Sequence, residues 1–266
     1  MNILFIGSSH CAMIKKAFDQ IPNNEKPFQA EFAAFTAPEI SLQNSVGWKT
    51  EGVKLLCTEY LLRNKVLKGG GEDCVFANFD GVDVICYVDL FYCYDFGLIY
   101  FGQKKDGITD ERNKIISQGV FERSLYNLLG TSSYKNHTQV NDVPVNNVDK
   151  MFAAVQGISP NSKKILIPRP LSPTQRIEDK FTSKGYPKVW IEFMTSVFDK
   201  VALTKLKERG ISFISRPEDS IDINTGMTLN ELSASWPKNA LDEHLNMRYG
   251  KMILEQISRV MKHHKS

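Results

Sequence analysis

Residues Ile3-Leu4-Phe5-Ile6 form a continuous apolar run that stops at Gly7, the pattern of a strand buried on both faces. From about His10 to Gln20 the apolar residues recur at helical spacing (Cys11, Ile14, Ala17, Phe18), and Ile21-Pro22-Asn23-Asn24 stops the helix. Phe28 to Phe35 alternates as a second strand. Thr36 to Lys49 reads as a loop, and Glu51 to Leu67 as a helix ending at Gly69-Gly70-Gly71. Strands are predicted at 74–77 and, more strongly, at 82–88. The aromatic stretch Phe91 to Phe101 reads either as a strand-and-loop insertion or as one wall of a pocket. Helical patterns at about 110–129 and 147–155 flank a polar loop from Gly130 to Pro144. Lys164 to Pro168 is a strand, Val189 to Arg209 one or two helices, Ile211 to Ile214 a last short strand, and Asn246 to Lys262 a closing helix.

Strands alternating with helices predict an α/β fold: one doubly wound three-layer α/β/α domain over 1–266, with a mostly parallel sheet of about five strands and an insertion around 89–145. Such sheets bind ligands in the crevice beyond the carboxyl ends of their strands. Here those are the turns after Ile6, Val88, Ile167 and Ile214.

The chain has 266 residues, 42% hydrophobic and 24% charged, with a net charge of +3, too mild a balance to predict nucleic-acid binding. Lys262-His263-His264-Lys265 reads as a solvated helix end. Five cysteines, an odd number without a CxxC pair, read as free buried thiols of a reducing compartment. With no basic region ahead of the first apolar run and no apolar stretch of about 18 residues, the expectation is a cytoplasmic protein without membrane insertion. The histidines and cysteines show no metal-ligand spacing, so no metal is expected.

Two segments carry chemistry. Gly7-Ser8-Ser9-His10 follows the first strand and opens a helix. There a serine either caps the helix or stands exposed as a nucleophile beside main-chain N–H groups that would stabilise an oxyanion. A serine nucleophile needs a base, usually a histidine held by a carboxylate. His137 lies in a polar loop and His263 and His264 in the tail, leaving His10 and His244. Asp242-Glu243-His244 stands just before the final helix. It reads either as an oriented imidazole or as an acidic first helical turn.

Together the two ends resemble the SGNH/GDSL-type hydrolase superfamily, with Gly-x-Ser after the first strand and an Asp/His pair before the last helix. Gly7-Ser8-Ser9-His10 and His244-Leu245-Asn246-Met247-Arg248-Tyr249-Gly250 are similar to blocks of SGNH-like proteins found in bacterial polysaccharide gene sets. The resemblance covers roughly residues 3–18 and 239–254. It implies Ser9 as nucleophile, His244 as base and Asp242 as its orienting acid. The implied activity is that of an esterase or acyltransferase acting, without a cofactor, on an O-acyl ester. The substrate would be a small molecule or oligosaccharide, an O-acetyl carbohydrate above all.

His10 reads as a contact near nucleophile or substrate, or as a solvent-facing first-turn residue. Asn246 and Tyr249 read as packing and capping of the final helix, or as substrate contacts. The aromatic residues 91–101 are core or a sugar-stacking platform, and Arg169 is a surface residue or an anion contact. The first block matches with Ser8 in place of the usual aspartate, and two departures stand against the family pattern: Asp242-x-His244 is one residue shorter than Asp-x-x-His, and Asp89-Leu90-Phe91-Tyr92 stands where Gly-x-Asn-Asp is expected. That block supplies an asparagine oxyanion donor in the family. Two further readings therefore stay open: a degenerate, carbohydrate-binding member of the fold, and a nucleotide- or phosphate-binding α/β protein.

Overall fold

A computed structural model describes residues 1–34, 49–57, 74–130, 147–176, 186–240, 242 and 244–262. The apolar runs and the alternating segment after Phe28 become β1 (Asn2–Gly7), β2 (Gln29–Ala34), β6 (Val84–Cys93), β10 (Lys163–Arg169) and β11 (Ile211–Phe213) of one five-stranded sheet. Its order is β11-β10-β6-β1-β2, and every neighbouring pair is parallel. This is a doubly wound arrangement in which the order reverses at β1, so the crevice for a ligand opens beside the carboxyl ends of β1 and β6.

Side chains alternate across the sheet. Ile3, Phe5, Val84, Cys86, Ile165 and Ile167 bury against α1 (Cys11–Asp19) and the closing helix. On the opposite face Leu4, Ile6, Ile85, Tyr87 and Leu166 join a second core. That core is covered by α2 (Asp95–Tyr100), α3 (Gln118–Leu128), α4 (Asn147–Ile158) and α5 (Lys188–Lys207). The closing helix is α6 (Met247–Lys262), and it lies directly on α1. Among the described residues no helix is long and apolar enough to cross a membrane.

Two predicted helices differ. Residues 51–57 are not helical: β3 (Lys49–Glu51) and β4 (Lys54–Cys57) form an antiparallel hairpin around Gly52, whose φ of 55° suits a tight two-residue turn. The 58–67 part of that expectation, the Gly69–Gly71 stop, the 36–48 loop and most of the 130–144 loop lie outside the described residues. β5 (Cys74–Asn78) is a strand as expected but joins this hairpin rather than the main sheet.

The 110–129 helix begins only at Gln118. Before it, β7 (Gly102–Lys104), β8 (Gly107–Thr109) and β9 (Ile115–Ile116) make a small antiparallel sheet. The Asp110 carboxylate accepts the N–H groups of Arg112 at 3.0 Å and Lys114 at 2.8 Å, a side-chain turn that competes with helix. Ser117 then caps α3 by accepting from the Val120 N–H at 3.3 Å.

Candidate active site

Gly7 ends β1 against β6 so closely that a Cβ there would stand 2.0 Å from the Val88 carbonyl oxygen. Only glycine fits, and the turn it permits sends Ser8 inward and leaves Ser9 partly exposed above the sheet edge. The N-cap of α1 is His10, which makes no side-chain capping bond; Ser8 Oγ takes the His10 main-chain N–H, while Ser9 Oγ takes no main-chain N–H among the described residues and turns to His244. The Ser9 main-chain N–H donates to no acceptor among the described residues.

From the other end of the chain, His244 arrives on a segment tied to its neighbours before α6. Its carbonyl accepts the Ala234 N–H at 2.8 Å, and Leu245 bridges to Ser233. Ser233 Oγ donates to the Asp242 carbonyl at 3.2 Å. Ser9 Oγ stands 3.0 Å from His244 Nε2, and His244 Nδ1 stands 2.9 Å from Asp242 Oδ1. The same carboxylate oxygen accepts the His244 main-chain N–H at 2.9 Å. The one-residue spacing between acid and imidazole therefore gives a bond to the ring and another to the backbone. Partial burial opposes ionisation of Asp242, but these His244 contacts hold its carboxyl below the ordinary range. A hydroxyl, an imidazole and a carboxylate in series is an arrangement able to draw a proton from the serine. Glu243 lies outside the described residues.

His10 is not a solvent-facing residue: it is 3% exposed and belongs to a buried polar network under the turn. Ser8 Oγ donates to Asp89 Oδ2 at 2.7 Å and accepts the His10 N–H at 3.2 Å. His10 Nδ1 is 3.2 Å from both Ser8 Oγ and Asp89 Oδ2. Burial works against a charge on Asp89; the His10 bond, the Arg169 and His10 charges and the Ser8 bond outweigh it and hold the carboxyl below its usual range. Arg169 is thus a buried residue at the end of β10 rather than a surface one.

Asp89 was legible only as the missing Gly-x-Asn-Asp block. Its own signal was an acid at the carboxyl end of the central strand. The register between β6 and β10 slips there, pairing Ile167 with Val88 but Arg169 with Cys93. Asp89, Leu90 and Phe91 are looped out with φ of 70°, 41° and 63°, a left-handed run of non-glycine residues that turns the carboxylate toward Ser8.

Asn246 uses its side chain on structure. Its amide donates to the carbonyls of Glu231 at 2.7 Å and Ser233 at 3.3 Å, and its oxygen accepts the Arg248 N–H at 3.0 Å. Tyr249 is fully buried in the core between α6 and the sheet. The aromatic residues Phe91, Tyr92, Tyr94, Phe96 and Phe101 are buried as well and Tyr100 is partly buried against the same core, which makes that stretch core rather than a stacking platform. No group of three His, Cys, Asp or Glu among the described residues is arranged to hold a metal ion.

No family model and no curated protein matches this chain. Among solved structures it is similar to an extracellular lipase from Streptomyces rimosus, at 10% identity and a TM-score of 0.42, over 97% of this chain and 99% of that one.

Proposed function

We propose that the chain is a serine esterase or acyltransferase acting on an O-acyl ester, with an O-acetylated carbohydrate as its substrate class and a cytoplasmic site of action. The observation that carries the reading is the series Ser9 Oγ, His244 Nε2, His244 Nδ1 and Asp242 Oδ1, with links of 3.0 and 2.9 Å. The substrate class comes from the resemblance of the two end blocks alone. The compartment rests on the free buried thiols of Cys11, Cys86 and Cys93.

In this mechanism Ser9 Oγ attacks the acyl carbon while His244 Nε2 takes its proton. Asp242 accepts the Nδ1–H bond and stabilises the imidazolium. The oxyanion faces the Ser9 main-chain N–H at the start of α1, whose other first-turn donors carry the helix dipole's positive end. Collapse breaks the ester bond, and His244 returns the proton to the leaving alkoxide. Water or a sugar hydroxyl, deprotonated by His244, then bonds to the acyl carbon; the bond to Ser9 Oγ breaks and His244 returns the proton to Ser9.

A second reading, a carbohydrate-binding member without efficient turnover, is favoured by Asp89-Leu90-Phe91 standing where an asparagine donor is expected. One lost donor typically costs about 100- to 1000-fold in rate. Fluorophosphonate labelling and hydrolysis of p-nitrophenyl acetate separate the two. The catalytic reading expects labelling on Ser9, none in Ser9→Ala, and a loss of about 1000-fold or more in His244→Ala. An unlabelled wild type, or turnover indifferent to both substitutions, overturns it.

A further inference from the structure

Resting on that assignment of Ser9, His244 and Asp242, we propose that His10, anchored by Asp89 and Ser8, is a positioning residue that fixes the ring plane of His244. The His244 side chain is 47% exposed, and the carboxylate that holds it is itself 38% exposed. A carboxylate at Nδ1 fixes one edge of an imidazole but leaves its plane free to swing. The second constraint is the His10 ring, stacked on His244 with centroids 5.3 Å apart and planes 21° apart.

His10 is itself immobilised. It is 3% exposed, and its Nδ1 is held 3.2 Å from Asp89 Oδ2 and from Ser8 Oγ. Asp89 in turn sits on the left-handed run of 89–91, backbone whose strain persists only where surrounding structure enforces it. Constraint therefore passes from the β6 bulge through Asp89 and His10 to His244, and so to the 3.0 Å contact with Ser9.

The choice of histidine supports a functional role over packing alone. His10 Nε2 is buried and has no hydrogen-bond partner among the described residues, a cost that a phenylalanine or leucine at the same place would avoid. What histidine adds is the Nδ1 anchor that sets the rotation of the ring. An imidazole misplaced by about 1 Å loses on the order of 100-fold in rate, so a ring-plane constraint has a measurable consequence.

The test uses the full chain with p-nitrophenyl acetate turnover, fluorophosphonate labelling rate and thermal unfolding. His10→Ala, His10→Phe and Asp89→Asn are compared with wild type, Ser9→Ala and His244→Ala. The expected result is that His10→Ala and Asp89→Asn lower kcat and labelling rate by about 10- to 100-fold with KM unchanged, at temperatures where both are folded. His10→Phe, which restores a ring face without the anchor, recovers part of the kcat lost in His10→Ala.

If His10→Ala does not fold, His10→Phe and Asp89→Asn still read the anchor. A folded His10→Ala, or the Phe and Asn pair, with wild-type kcat beside an inactive Ser9→Ala overturns the positioning role and leaves the triad standing. So does His10→Phe no better than a folded His10→Ala. Wild-type turnover in Ser9→Ala and His244→Ala removes the triad, and the proposal with it.

Discussion

Gly250 of α6 lies against the main-chain carbonyl of Met13 on α1, so that a methyl group at position 250 would stand 2.5 Å from the Met13 oxygen and 3.0 Å from the Ala17 Cβ. Ser9 stands shortly before α1 and His244 shortly before α6, so the two groups are carried by the helices that cross here. Gly250→Ala should push the helices apart, lower stability by about 1–3 kcal/mol and reduce esterase kcat beyond the loss of folded protein. Gly157→Ala is the control. A Cβ there meets nothing within 4 Å, and replacing a helical glycine should leave activity intact and raise stability by about 0.5–1 kcal/mol. Denaturant unfolding and p-nitrophenyl acetate turnover of both variants check this. A Gly250→Ala protein as active as wild type would mean the crossing does not set the site.

Asp89 should govern part of the acid stability. Its folded carboxyl is held below the usual range despite burial, so its contribution is complete above the unfolded value of about 4 and is lost as pH falls through the folded value. Asp89→Asn removes that linkage. Thermal midpoints taken from about pH 5 down to about pH 2.5 should fall more steeply for wild type than for the variant. Asp242 titrates in the same region but is common to both proteins. Parallel curves would show that folding leaves the Asp89 pKa unshifted, and a shallower fall for wild type would show that the carboxyl is protonated in the fold.

The main sheet was readable because its strands are short apolar runs beside helix boundaries, Ile3–Ile6 and Lys164–Pro168 most plainly, with β2 marked instead by its alternation. The meeting of Ser9, His244 and Asp242 was readable because the three sit in short motifs beside those boundaries. The 51–57 hairpin was not, because a single Gly52 turn outweighs the helical spacing of its neighbours. The 110–117 segment was not, because the Asp110 side chain takes the backbone donors a helix would use. The buried Ser8–Asp89–His10 network depends on a three-residue bulge at 89–91. No periodicity marks such a bulge, since it arises from the mismatch of two paired strands distant in sequence.

Lys205 on α5 gives a prediction at the basic end. Its ammonium donates to the carbonyls of Tyr126, at 3.3 Å, and Leu129, yet burial pushes its pKa down to about 8. The unfolded chain keeps this proton up to about pH 10.4. Between about 8 and 10 the unfolded state therefore binds more protons, and the Lys205 contribution to stability rises with pH. Lys205→Met lacks that term. Urea unfolding at pH 7.5 and about 9.5 should show wild type gaining stability relative to the variant, while the tyrosine and cysteine titrations cancel between them. A difference that does not change with pH would place the ammonium in a better-hydrated setting.

Tyr249 separates packing from substrate contact. Its ring is fully buried, its hydroxyl has no hydrogen-bond partner among the described residues, and burial raises its phenol well above the ordinary range, with the Arg216 charge working the other way. An unpaired buried hydroxyl costs roughly 1–3 kcal/mol of desolvation, so its removal should be neutral or stabilising. Tyr249→Phe should keep wild-type kcat and KM on p-nitrophenyl acetate and unfold at the same or a slightly higher temperature. Tyr249→Ala should cost about 3–5 kcal/mol through the cavity left between α6 and the sheet. A raised KM in Tyr249→Phe, with stability unchanged, would instead make the hydroxyl a substrate contact and give the Tyr-Gly pair at the start of α6 a direct part in recognition.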